Sequence, residues 1–194
     1  MLGAKGCVFK EIDGHWKIVR RERDARMTVE PLVRFILIGL RTGTRHDAIM
    51  RLGWRAHADG GHFDMTKRRL YRRAAGVKET TKRQTPAPIP AKLMVLLRYW
   101  KARSNRLLVV DPNKDTNDVV TRRRIDDPFR RAVRNAGLAS DATPHTLRHT
   151  CATWKVQAGV PIWQVAGFLG MTAEMVDRVY GHHAPDHLSE AADA

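Results

Sequence analysis

The sequence predicts a single, mainly helical domain with a small antiparallel β-sheet, an α+β fold. Three observations predict it. Apolar residues recur at helical spacing in stretches around residues 28–52, 91–102 and 144–180. Between the first two stretches, the turn signal Asp59-Gly60-Gly61 and the alternating Pro86, Pro88 and Pro90 bracket short runs of strand length. A hydrophobic content of 43% over 194 residues is that of a folded chain with one core, not of a disordered one.

Residues 1–27 carry no decisive pattern and are expected to be an N-terminal arm or remnant segment; a short strand or an extended arm both fit. A helix is expected from Thr28, a residue type that caps N-termini, with Glu30 and Pro31 in its first turn. Leu32, Val33, Phe35, Ile36, Ile38 and Leu40 make that helix apolar on most sides, so it should be buried. Arg41-Thr42-Gly43-Thr44 interrupts it. Arg45 then opens a second helical stretch, beside backbone N–H groups that have no partner within the helix.

The turn at Asp59-Gly60-Gly61 should join two short strands, 53–56 and 62–65. Residues 77–85 read as a further strand or hairpin, and the prolines close the region because proline cannot donate within a central strand. Leu93, Leu96, Leu97 and Trp100 fall on one face of a helix over 91–102. Leu107 to Val110 form a short strand or buried turn, followed by a polar loop over 111–121. A basic helix is expected from Pro128 to Ala136, stopped by Gly137. Three last helices are expected over 144–158, 161–169 and 172–180, with Gly159 and Gly170 as C-terminal stops, and residues 185–194 form a short tail.

Lys and Arg number 35 against 20 Asp and Glu, a formal net charge of +15. Folding does not require so much like charge, so a polyanionic partner is expected, nucleic acid first. Lys67-Arg68-Arg69, Arg72-Arg73, Arg122-Arg123-Arg124 and Arg130-Arg131 are the expected contacts to a phosphate backbone. The two cysteines, Cys7 and Cys151, are far apart and lack metal-ligand spacing, as in a reduced, cytoplasmic protein. No apolar run has the length of a membrane span, and the first residues do not resemble a secretory signal.

Pro144 favours a helix start, which sets His145 and Arg148 three apart on one face, a pairing suited to a phosphate. Tyr180, one of three tyrosines, ends the last helix just before Gly181-His182-His183, where its phenol should be exposed. Thr42-Gly43-Thr44-Arg45 with Leu52-Gly53-Trp54, then Lys82, then His145-Thr146-Leu147-Arg148, then Leu169-Gly170 and Tyr180 resemble, in order and separation, the boxes of the tyrosine recombinase (phage integrase) catalytic domain. The resemblance covers residues 28–184.

That resemblance implies the recombinase catalytic-domain fold and site-specific cleavage and rejoining of double-stranded DNA, in integration or excision of a prophage or mobile element. Its expected catalytic residues are Arg45, Lys82, His145, Arg148 and Tyr180. Arg45 and Arg148 would grip the phosphate, Tyr180 would attack phosphorus, and His145 would act as base or phosphate donor. Lys82, with Lys78 nearby and Arg83 adjacent, would protonate the leaving oxygen. The scheme needs no metal or other cofactor. His149 is expected to point elsewhere, as a core histidine; a zinc site with His145 lacks a third ligand. Arg45 alternatively balances Asp47 within its helix.

The family pattern is broken at Met171, where members carry His or Trp. A thioether cannot donate a hydrogen bond, so either activity is reduced or His182 or His183 supplies the donor. The first 27 residues are also too short for the family's N-terminal helical clamp. The resemblance further implies self-association on DNA as a tetrameric synapse, with accessory DNA-bending proteins as further partners. The competing expectation is a catalytically weak, truncated remnant that occupies or regulates a recombination site.

Overall fold

The computed structural model describes residues 7–12, 15–21, 23–74, 86–104, 106–110 and 123–185, with side chains from residue 29 onward except at 123 and 124. The segment read as an arm contains a hairpin of β1 (Cys7–Ile12) and β2 (His15–Arg21), paired antiparallel with a register irregularity between Val8 and Phe9.

Helix α1 spans Arg23–Thr42, so it starts five residues before the expected cap at Thr28 and carries Pro31 in its interior. Proline there removes one N–H donor but keeps a helical φ. The burial of Leu32, Phe35 and Ile38, the last two with 0% exposure, offsets that loss. Helix α2 (His46–Met50) follows, with Arg45 as its N-cap in an extended conformation.

The sheet is three-stranded and antiparallel in the order β3 (His62–Asp64), β4 (Arg69–Tyr71), β5 (Ala87–Pro88). Residues 53–56 do not form a strand; Gly53 only bridges His62 and Leu108. Pro88 sits in edge strand β5, where its missing N–H breaks no ladder. The expected element at 77–85, and Lys82 with it, lies outside the described residues, as does the whole loop at 111–121.

Helix α3 (Ala91–Lys101) buries Leu93, Met94, Leu97 and Trp100. Helix α4 (Arg123–Asn135) begins five residues before Pro128, which again lies inside the helix. The last three helices, α5 (Thr146–Gln157), α6 (Ile162–Leu169) and α7 (Ala173–Tyr180), lie within two residues of their expected bounds. Gly170 ends α6 at φ 65°, and the Met171 N–H reaches back to the Ala166 carbonyl at 2.9 Å, a Schellman-type stop.

Two apolar clusters result. One gathers α1, the sheet, α3 and α4 around Phe35, Ile38, Phe63, Leu70, Leu93 and Leu97. The other gathers α5, α6 and α7 around Cys151, Ala152, Val165, Leu169 and Val176. Among the described residues, no helix is long and apolar enough to cross a membrane.

Candidate active site

Where α1 ends, the chain turns through Gly43 at φ 60°, a left-handed conformation suited to glycine. A side chain there would collide with Leu169 of α6 and press on Cys151 of α5. The turn, which follows α1 of the first cluster, is therefore pressed against the second. Its hydroxyls are paired: Thr42 Oγ1 donates to the Ile38 carbonyl at 2.7 Å and lies 2.7 Å from Thr44 Oγ1.

Two buried arginines fasten this turn. Arg148 of α5, 4% exposed, donates from Nη1 to the Gly43 carbonyl at 2.6 Å and from Nη2 to the Leu169 carbonyl at 2.9 Å. One guanidinium thus ties the end of α1 to the end of α6, and three of its five N–H donors stay available. Arg72, just after β4, is 5% exposed; its Nε donates to Thr44 Oγ1 at 3.1 Å and its Nη2 to the Thr42 carbonyl at 3.0 Å. Arg72, expected from the sequence as a phosphate-backbone contact, is instead buried against the turn. A dense run of Arg looks the same whether one member faces water or the interior.

The two buried guanidinium groups and Arg45 are close enough to repel one another. Burial and then Arg45 lower Arg148 to about 10. Burial lowers Arg72 to about 10 as well, with Arg148 and Arg45 adding to the effect. Both remain charged near neutrality. Arg45 is half-buried at the mouth of this seam, and its guanidinium makes no hydrogen bond among the described residues. Asp47 pairs instead with the neighbouring His46, at 3.1 Å. A concentration of guanidinium charge at one point suits an oxyanion.

Tyr180 ends α7 as the sequence indicates, but it is 4% exposed, so the expected exposure of its phenol is not found. The ring packs into the second apolar cluster beside Val176 and Val165. Its Oη lies 2.7 Å from His149 Nδ1. His149 is accordingly not a core histidine; it is exposed on α5 and meets the phenol. One turn earlier, His145 stands at the N-cap of α5, edge-on to His149 with ring centroids 4.6 Å apart. Burial raises the Tyr180 phenol above its usual range, against the opposing pull of the Arg148 charge.

Met171 is half-buried and packs against the apolar cluster. His182 and His183, in a short 3-10 turn after α7, lie against each other with ring centroids 3.9 Å apart. Lys67, Arg68 and Arg69 are exposed around the β3–β4 turn, where Asp64 Oδ1 accepts from the Lys67 N–H at 2.8 Å. Arg73 is half-buried, and Arg130 and Arg131 are exposed on α4. Arg122 and the side chains of Arg123 and Arg124 lie outside the described residues. Among the described residues, no group of three or more His, Cys, Asp or Glu could hold a metal ion.

His145 reports on this field. Partial burial first, then His149, Arg148, Arg45 and His46, hold it below 6.5. Its folded value lies under its unfolded one, so the folded chain resists protonation here and loses stability as pH falls through 6.5. An oxyanion bound at the arginines offsets those charges. Sulfate is therefore expected to raise the His145 pKa in an NMR titration and to lessen the acid loss of the urea midpoint. A His145 titration indifferent to sulfate would argue against anion binding at the seam.

Comparison with known proteins bears on the whole arrangement. A sequence model described as the phage integrase family matches residues 23–187. The integrase of Salmonella phage P22 is 41% identical over 83 residues, which is 42% of this chain and 21% of that protein. In structure, the Tn1549 transposon integrase, solved with a circular intermediate DNA, aligns with a TM-score of 0.61 at 18% identity over 82% of this chain and 57% of that one. XerA recombinase aligns with a TM-score of 0.57 at 18% identity, over 94% of this chain and 65% of that one. At such identities these two alignments speak for the fold, and the chain matches only part of each relative's length. A family match over 23–187, together with the helical fold that carries it, leads to one conclusion: the chain belongs to the phage integrase family.

Proposed function

We propose that this protein is a tyrosine-type site-specific recombinase. It cuts double-stranded DNA through a 3′-phosphotyrosyl bond on Tyr180 and rejoins it, in integration or excision of a prophage or mobile element. The observation that carries the reading is the contact of Tyr180 Oη with His149 of α5, the helix from which Arg148 reaches the Gly43 carbonyl two residues before Arg45.

A phosphodiester reacts slowly because its oxygens repel a nucleophile and its alkoxide leaves poorly. Arg148, held by two carbonyls, presents its remaining N–H donors to the non-bridging oxygens, and Arg45 adds a second guanidinium. A preset charge of this kind lowers the barrier without reorganisation during the reaction. Attack by Tyr180 Oη on phosphorus keeps the energy of the broken bond in the new ester, so rejoining needs no ATP. Lys82 is the proposed acid for the departing 5′ oxygen. Lys67, Arg68 and Arg69 are the proposed backbone contacts, and a tetrameric synapse on paired sites is the proposed assembly.

The test uses nicked duplexes that span the sequences flanking the gene, incubated without ATP and with a chelator. DNA that stays with the protein on a denaturing gel is expected. Folded protein that binds these duplexes and never becomes linked to them would favour the binding-remnant reading, for which the donor-less Met171 is the specific ground.

A further inference from the structure

We propose that His149 is the catalytic base for Tyr180, taking the phenol proton at Nδ1 as Oη attacks phosphorus, and that His145 is thereby left to bind the phosphate. This deepens the recombinase reading and rests on it. The ground is the order in which three rings touch, His145 on His149 and His149 on Tyr180. Tyr180 Oη lies 2.7 Å from His149 Nδ1, within reach for proton transfer. His145 meets His149 edge-on at 4.6 Å between centroids, and no contact joins His145 to Tyr180 among the described residues. His149 thus stands between the phenol and the residue that the sequence reading put forward as base.

Position on the helix explains the division of labour. His145 and His149 lie one turn apart on α5, with Arg148 between them in sequence. His145, at the N-cap, is lowered by burial and by the neighbouring His149, Arg148 and Arg45, the two guanidinium groups being where an oxyanion would sit. His149 is one turn further along, against the end of α7. Burial also keeps the phenol protonated at rest, so a base is needed to make it a nucleophile. His149 is exposed, which leaves Nε2 open to solvent as the exit for the accepted proton.

The step balances. The Tyr180 O–H bond breaks and its proton passes to Nδ1; an Oη lone pair forms the bond to phosphorus. The phosphorus–O5′ bond breaks with its electron pair on O5′, which takes a proton from the acid proposed above. Rejoining reverses each transfer and returns the proton from His149 to the phenol.

Single-turnover cleavage of nicked duplexes from the gene's flanks tests this with His149→Ala and His149→Asn. Each is used on an ordinary substrate and on one whose scissile 5′ oxygen is replaced by sulfur, a leaving group that needs no acid. His149→Ala is expected to be slowed about 100-fold on both substrates, since the lost group serves the nucleophile. His149→Asn keeps a hydrogen-bonding atom near the Nδ1 position but cannot take a proton, so it should be equally slow. Added imidazole should restore part of the alanine variant's rate. The acid limb of the pH profile should flatten in both variants; the other titratable and charged groups facing this point, His145 and Arg148 on α5, Tyr180 on α7, Arg45 and His46 beside α2, and His182 and His183 in the turn packed on α5, are unchanged. Full activity of His149→Asn would reduce His149 to a positioning residue and overturn the proposal. So would a defect confined to the oxygen substrate, or an alanine variant within about 2-fold of the unaltered chain, a difference far below a general-base contribution. Absence of adduct from the unaltered chain would overturn the recombinase reading itself.

Discussion

Replacement of Arg148 by alanine is expected to abolish cleavage, a loss of roughly 1000-fold or more, and to cost about 3 kcal/mol of stability. Both effects come from one guanidinium. Its Nη1 and Nη2 satisfy the carbonyls of Gly43, just after α1, and of Leu169, at the end of α6. Alanine leaves both acceptors without their charged donor. Two opposing gains limit the damage: a buried charge is no longer desolvated, and repulsion from Arg45 and Arg72 is relieved. The catalytic loss has no such offset, because a transition-state phosphorane carries more negative charge than the ground state. Arg148→Lys separates the two roles. An ammonium keeps the charge but cannot bridge two carbonyls and a phosphate in one plane, so cleavage should fall nearly as far while less stability is lost. Urea unfolding and single-turnover cleavage read the two separately.

Gly43→Ala is expected to be the most damaging small substitution in the turn, at about 3 kcal/mol, from left-handed strain and overpacking together. The backbone at Gly43 has φ 60°, and a Cβ would meet the Leu169 side chain and then Cys151 Sγ at 3.4 Å. Gly137 supplies the control: its φ is 64°, yet nothing lies within 4 Å of a Cβ there. Gly137→Ala should therefore cost only the strain, about 1 kcal/mol. The difference between the two variants measures how tightly the turn is wedged. Equal losses in urea unfolding would contradict the packing described here. Because the Gly43 carbonyl holds Arg148, the first variant should also lose cleavage activity and the second should not.

Local signals in the sequence carried the last third of the fold. Pro144, Gly159, Pro161 and Gly170 punctuate α5 and α6 because caps and left-handed stops act over a few residues. The same logic failed at α1 and α4, where Pro31 and Pro128 look like helix starts but lie inside helices whose earlier turns are held by the rest of the structure. Residues of the recombinase boxes were legible as boxes, yet their mutual contacts were not. Arg72 looked like one more surface cation because nothing in its neighbourhood of the chain shows that Thr42 and Thr44 fold against it. His149 was read as core because its partner is 31 residues away in sequence. The burial of Tyr180 likewise depends on α7 folding back onto α5, a packing that Gly181-His182-His183 does not encode locally.

The central claim is that Tyr180 itself carries the DNA. Its most direct measurement uses nicked duplex radiolabelled at the scissile phosphate, followed by denaturation, proteolysis and mass spectrometry of the labelled peptide. The label is expected on Tyr180, at the end of the peptide that forms α7, and Tyr180→Phe should bind the same duplex while yielding no adduct. Label on any other residue, or an adduct that persists in Tyr180→Phe, would contradict the account.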